Sequence, residues 1–161
     1  MSESNTFDSR SSLTGHEFFM RHALDLAKNC SVLTSPNPKV GCVIVKDGQI
    51  IGEGFTQPAG QNHAEIQALA DAARRGADCE GATVYVTLEP CAHYGKTPPC
   101  ADALVRAKVS CVVAAMEDPN RLVAGKGFGK LEAAGIRVIC GVLAREAREM
   151  NPGFFSRIER G

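Results

Sequence analysis

The amino-acid sequence predicts an α/β fold in which a sheet opens with a hairpin and continues as strand–helix units. Three observations carry this expectation. Val40-Gly41-Cys42-Val43-Ile44-Val45 is a nearly unbroken apolar run, the pattern of a strand covered on both faces. The Asp47-Gly48 pair behind it is a strong two-residue hairpin signal. Downstream, β-branched runs at Ala82–Thr87, Ser110–Ala115 and Ile136–Cys140 alternate with stretches of helical character.

The elements follow in order. Residues 1–14 begin polar and Ser-rich and are expected to form a disordered tail. Thr14-Gly15-His16-Glu17 has the spacing of a capping box. Phe19, Ala23, Leu26, Ala27 and Cys30 then recur on one helical face. That helix must stop before Ser35-Pro36-Asn37-Pro38, because proline cannot continue it. Its His16 and His22 are read as surface or core-edge residues.

After the first strand and its hairpin, Ile50–Phe55 is the return strand. A helix is expected from an N-cap at Asn62 to about Arg75, closed by Gly76, with Ile66, Leu69, Ala70 and Ala73 as its apolar stripe. The strand Ala82–Thr87 leads into a cysteine-bearing loop. Thr97 is the expected N-cap of the next helix, with Pro98 at its first position and an end near Ala107. Met116–Asn120 is a polar loop leaving the Ser110–Ala115 strand. Helices over Lys126–Ala134 and Leu143–Met150 flank the last strand, and the Pro152–Arg160 tail should pack through Phe154, Phe155 and Ile158 on the body or on a partner.

Composition narrows the function classes. With 18 basic and 18 acidic residues among 161, the chain carries no footprint for polyanion binding. No apolar run approaches the ~20 residues of a membrane span. Seven cysteines is an odd number, and Cys42, Cys111 and Cys140 sit in apolar runs as small buried hydrophobes would, with Cys30 and Cys79 at helix ends or loops. The expectation is a reducing, cytoplasmic setting with one domain over residues 15–161.

The chemistry concentrates in two segments, Asn62-His63-Ala64-Glu65 and Thr87-Leu88-Glu89-Pro90-Cys91-Ala92-His93-Tyr94-Gly95-Lys96-Thr97-Pro98-Pro99-Cys100. His63, Cys91 and Cys100 make a three-ligand zinc set with a position left for water. Zinc lowers the pKa of bound water to ~7, and a carboxylate such as Glu65 can take that water's proton and deliver it to a leaving amine. The zinc-deaminase signature is H-x-E followed by P-C-x-x-C; here eight residues separate Cys91 from Cys100. A redox pair or structural thiols are the alternatives for these cysteines. A structural zinc would need a fourth ligand, which His93 could supply. Glu89 is read as structural or as a helper near the reacting ring.

These residues, with Pro36-Asn37-Pro38, Val40-Gly41, Ala115-Met116, Asp118-Pro119-Asn120 and Val123-Ala124-Gly125-Lys126-Gly127, closely resemble the bacterial riboflavin-biosynthesis deaminases, the diaminohydroxyphosphoribosylaminopyrimidine deaminases. The resemblance runs from about residue 16 onward. It implies a three-layer α/β/α, cytidine-deaminase-like fold with a five-stranded mixed sheet. The implied reaction is hydrolytic deamination of 2,5-diamino-6-ribosylamino-4(3H)-pyrimidinone 5′-phosphate to 5-amino-6-ribosylaminouracil 5′-phosphate plus ammonia. By position, His63, Cys91 and Cys100 would hold zinc, Glu65 would shuttle the proton, and Asn37 would contact the ring. His93, Lys96, Thr97, Asp118 and Asn120 would line the ring, ribose and phosphate end.

Two departures from the family stand out. Thr56 follows Phe55 where the family usually has histidine, so it offers a hydroxyl and no positive charge. The chain also ends at Gly161, where relatives commonly continue into an NADPH-using reductase domain. The expected partners are a small ribosylaminopyrimidine phosphate, no nucleic acid and no membrane, with a homo-oligomer or a reductase partner compatible with the pattern. The rival classes are a nucleoside or polynucleotide deaminase, which would need a basic groove or a different loop, and a non-catalytic zinc-stabilised module.

Overall fold

The computed structural model describes residues 2–30, 38–57, 63–92 and 99–151, with side chains described from residue 15 onward. Helix α1 spans Ser2–Ala27. The hairpin follows as β1 (Gly41–Lys46) and β2 (Gln49–Phe55), then α2 (Ala64–Arg74), β3 (Thr83–Val86), α3 (Cys100–Arg106), β4 (Cys111–Ala114), α4 (Lys126–Ala133), β5 (Arg137–Cys140) and α5 (Ala144–Met150).

The five strands lie in the order β2-β1-β3-β4-β5. β1 is antiparallel to both β2 and β3, whereas β3, β4 and β5 are parallel to one another. The expected mixed sheet is therefore observed. Asp47 and Gly48 both adopt positive φ, 52° and 77°, as a hairpin turn matched to strand twist requires. The pairing slips one residue between Ile44 and Val45, a bulge that re-aims the strand.

Strand alternation divides the core between two faces. On one face Cys42, Ile44, Val84, Val86 and Val112 pack with Ala64, Ala68, Leu104, Phe128 and Leu131 from α2, α3 and α4. On the other, Val43, Val45, Tyr85 and Val113 pack with Met20, Ala23, Leu24 and Ala147 from α1 and α5. The result is the three-layer α/β/α arrangement.

Two helices meet the sheet at backbone distance. A Cβ on Gly41 would lie 1.8 Å from the carbonyl oxygen of Ala23, and on Gly54 it would lie 2.4 Å from that of Ala64. Only glycine fits at either place. This explains a correction to α2: its buried face is Ala64, Glu65, Ala68 and Ala72. The expected stripe of Ile66, Leu69 and Ala70 is only half-buried and Ala73 is exposed. A helix seated on Gly52 and Gly54 must turn its smallest side chains inward.

Other boundaries also differ. The N-terminal helix begins at Ser2, where a tail was expected over 1–14 with a start at Thr14. No proline interrupts residues 2–14, and Gly15 inside a helix costs only about 1 kcal/mol. The N-cap of α2 is His63 rather than Asn62, and that of α3 is Pro99; Thr97 and Pro98 lie outside the described residues, as do Asn62 and the 152–160 tail. Pro99 has φ −60° and ψ 146°, so helix begins only at Cys100. Cys140 is exposed rather than buried, and Cys111 half-buried, because β5 is an edge strand and β4 its neighbour.

The topology gathers one end of the sheet. β3 and β4 run parallel, so the segments leaving them, 87–92 and 115–120, emerge together. β1 is antiparallel to β3 and pairs Gly41 with Phe55 of β2, which brings Pro38–Val40 and Thr56 to that same end. Ligand sites of α/β sheets lie outside the carboxyl ends of strands.

Candidate active site

Local sequence determines how each group reaches this end. His63 is the extended residue that precedes α2, with φ −75° and ψ 167°, so its ring projects past the helix start. Glu65 lies in the first turn and is only 4% exposed. Although they are two residues apart, a distance that separates helix faces, the change from extended to helical backbone lets both serve one site. On the other side, the loop after β3 carries Cys91, and α3 opens on Cys100.

His63 Nδ1 lies 3.2 Å from Cys100 Sγ and 3.9 Å from Cys91 Sγ. All three donor atoms fall within 4.8 Å of one another. Tetrahedral zinc with bonds of about 2.0 Å to nitrogen and about 2.3 Å to sulfur holds its donors roughly 3.5 Å apart, so the trio fits. Protonation agrees with this. The Cys100 hydrogen bond, with help from His63, holds the Cys91 thiol down at about 4 against its burial. The same bond and burial push Cys100 up, and the bond to Cys91 raises His63. Two thiols that share one proton suit a cation, which replaces that proton and leaves both ionised.

Beside the trio, burial raises Glu65 to about 7. A carboxyl near 7 exchanges protons in both directions at neutral pH. Cys42, fully buried, is pushed well up by burial and by the Glu65 charge, so it behaves as an inert thiol behind the site. A cavity of ≈ 290 Å³ opens over these groups, lined by Pro38, Val40, Thr56, Leu88, Glu89 and Asp118 together with His63, Glu65 and Cys91.

The expected contacts divide accordingly. Asp118 lines the cavity, and the Asn120 main-chain N–H donates to its Oδ1 at 2.9 Å. The side-chain oxygen of Asn120 accepts from Leu122 N–H at 3.0 Å, so this residue shapes the turn behind the wall. Asn37, His93, Lys96 and Thr97 lie outside the described residues. Thr56 is buried; its hydroxyl oxygen accepts from Val40 N–H at 2.9 Å, and the hydroxyl has the Pro38 carbonyl 3.2 Å away. It therefore clasps the Pro38–Val40 wall. Sequence reasoning did not assign Glu89 a definite place: it is buried, and both carboxylate oxygens accept main-chain N–H groups.

Comparison with known proteins bears on this site. Residues 13–116 match the family described as the cytidine and deoxycytidylate deaminase zinc-binding region. The chain is 54% identical over 145 residues to the riboflavin biosynthesis protein RibD of Escherichia coli, covering 90% of this chain and 39% of that protein. It is 48% identical over 144 residues to the diaminohydroxyphosphoribosylamino-pyrimidine deaminase of Buchnera aphidicola (subspecies Acyrthosiphon pisum), covering 89% of this chain and 96% of the relative. Among solved structures, a diaminohydroxyphosphoribosylaminopyrimidine deaminase/5-amino-6-(5-phosphoribosylamino)uracil reductase from Thermotoga maritima superposes with a TM-score of 0.88 at 44% identity. That match covers 92% of this chain and 42% of the other. The chain thus spans about two fifths of the longer relatives it matches.

Proposed function

This chain belongs to the diaminohydroxyphosphoribosylamino-pyrimidine deaminases, within the cytidine and deoxycytidylate deaminase zinc-binding family; from that premise we propose that it hydrolyses the 2-amino group of 2,5-diamino-6-ribosylamino-4(3H)-pyrimidinone 5′-phosphate. The products are 5-amino-6-ribosylaminouracil 5′-phosphate and ammonia. The observation that carries the proposal is the convergence of the donor atoms of His63, Cys91 and Cys100, with His63, Cys91 and the buried carboxyl of Glu65 lining one cavity.

His63, Cys91 and Cys100 would hold the zinc. When bound, zinc supplies a hydroxide nucleophile at neutral pH. Glu65 would take on its carboxylate the proton that the attacking water gives up and deliver it to the exocyclic nitrogen, which leaves as ammonia when its C–N bond breaks, the water's other proton staying with the pyrimidinone ring. Burial serves this cycle, since a solvated glutamate would lie too far below neutrality to hold the proton between steps. Pro38, Val40 and Leu88 give the ring a largely apolar seat. A volume of ≈ 290 Å³ is at the small end of the usual ~300–1,000 Å³ range, which suits a single-ring base. Balanced charge gives no support to a polynucleotide substrate. Asn37 is assigned to the ring and His93 and Asp118 to the ring, ribose and phosphate end as a group, while Asn120 shapes the turn that carries Asp118. Lys96 and Thr97, which lie in sequence between Cys91 and Cys100, are assigned to the phosphate.

The test is a substrate panel on zinc-loaded protein. Ammonia release from the ribosylaminopyrimidine phosphate should far exceed release from cytidine, deoxycytidylate or a cytidine-containing oligonucleotide. Preference for any of the latter three would overturn the assignment.

A further inference from the structure

We infer that Glu89 is a positioning residue that sets substrate affinity by holding the 118–128 segment, and with it Asp118, against the loop that carries Cys91. The inference rests on the functional reading above in one respect, that Asp118 faces the substrate.

Glu89 is 6% exposed and lines the cavity, and both of its oxygens are engaged by main-chain N–H groups. Oε1 accepts from Asp118 N–H and from Gly125 N–H, each at 3.0 Å. Oε2 accepts from Phe128 N–H at 3.1 Å. Its own N–H donates to the Met116 carbonyl at 3.0 Å. One side chain therefore ties three points of the segment that leaves β4 and enters α4. Two of those donors are at the start of α4, where negative charge is favoured by the helix dipole.

The next residue in the chain tightens the same joint. A Cβ on Gly127 would lie 1.9 Å from the Pro90 carbonyl oxygen, so the first turn of α4 rests directly on Pro90, and Cys91 follows. The ligand loop and the cavity wall are thus referenced to each other through residues 89 and 90. Three donors converging on one group require a group that only accepts. Glutamine in its place would turn an amide N–H₂ toward a main-chain N–H.

The test compares zinc-loaded wild type with Glu89→Gln, measuring zinc per chain, kcat and KM for the ribosylaminopyrimidine phosphate, and amide hydrogen exchange at Asp118, Gly125 and Phe128. Expected are unchanged zinc, faster exchange at those amides, a KM raised roughly tenfold or more as for a lost charged hydrogen bond, and a much smaller change in kcat. The double variant Glu89→Gln/Asp118→Ala should be no worse than Asp118→Ala alone, because the first acts through the second. If Glu89→Gln does not fold, Glu89→Asp, which keeps an acceptor-only group, is read by the same measurements. Unchanged KM, additive effects in the double variant, or zinc loss in proportion to activity would each overturn the inference. Should wild type bind the compound without turning it over, the functional reading falls while Glu89 is judged on the dissociation constant. No binding at all overturns both.

Discussion

The Sγ of Cys91 accepts a hydrogen bond from the main-chain N–H of Cys100 at 3.2 Å, and the Cys91 carbonyl accepts from Ala101 N–H at 3.0 Å. The first of the two cysteine sulfurs is thereby seated on the opening turn of the helix that supplies the second. The start of α3 favours a thiolate there, both through its N–H groups and through its dipole.

One zinc per chain is expected, and Cys100→Ala should lose most of it, as measured by elemental analysis of dialysed protein. Full retention of zinc by this variant would remove Cys100 from the ligand set. A structure with His93 on the metal would favour the structural-zinc alternative.

Glu65→Gln should retain fold and zinc while turnover falls by roughly 10²–10⁴-fold, the usual worth of general acid–base help. The amide can hydrogen-bond but cannot carry a proton between water and leaving nitrogen. Substantial residual turnover would take Glu65 out of the mechanism.

Lys96→Ala should impair the phosphorylated substrate far more than its dephosphorylated analogue, with zinc unchanged, since phosphate binding remote from the reacting carbon contributes to orientation. Equal loss on both substrates would withdraw the phosphate assignment.

Two groups, His16 and Glu53, should each lose a stabilising contribution in acid, while Glu65, whose pKa is raised to about 7, contributes in the opposite sense as pH falls toward 4.5. Burial, then the Arg137 charge, lowers the pKa of His16 below 6.5. Its Nδ1 lies 2.7 Å from the Tyr85 hydroxyl, a phenol that burial pushes up to about 12 and that stays a donor. Below 6.5 the unfolded chain binds a proton that the native state refuses, so stability declines as pH falls through that value. Glu53 is raised by burial, but hydrogen bonds from His22 and Arg75 outweigh this and the net shift is downward from 4.5. Its contribution is present above 4.5 and is lost as pH falls through its lower native pKa. Urea midpoints measured from pH 8 to pH 3 should show the difference between wild type and His16→Gln changing only in the upper window, and that between wild type and Glu53→Gln only in the lower one.

The hairpin and the ligand trio were legible in the sequence because each depends on residue identity. Asp47-Gly48 is required by φ, and a metal demands particular side chains at particular spacings. The buried face of α2 was not legible, because the apolar residues that look like a core stripe, Ile66 and Leu69, lie beside the sheet while Ala64 and Ala68 touch it. Only the glycines of β2 reveal this, and only once β2 and α2 are known to meet. Glu89 was opaque for another reason: its partners are main-chain N–H groups, which every non-proline residue possesses. Cys140 was placed inside because an apolar strand does not announce that it is an edge.

Gly54 has a consequence that reaches beyond packing. Its Cα abuts the carbonyl of Ala64, so close that an added methyl would come within 2.4 Å of that oxygen, and Ala64 stands between His63 and Glu65. A one-carbon addition on the edge strand would lift the first turn of α2, moving His63 and Glu65 together. Such a lesion would behave as an enzyme poorly aligned rather than unfolded, and misplacement of about 1 Å can cost about 10²-fold in rate. The mutational tolerance of β2 is therefore limited by the placement of the neighbouring helix and of the two side chains at its start, not by the strand's own pairing.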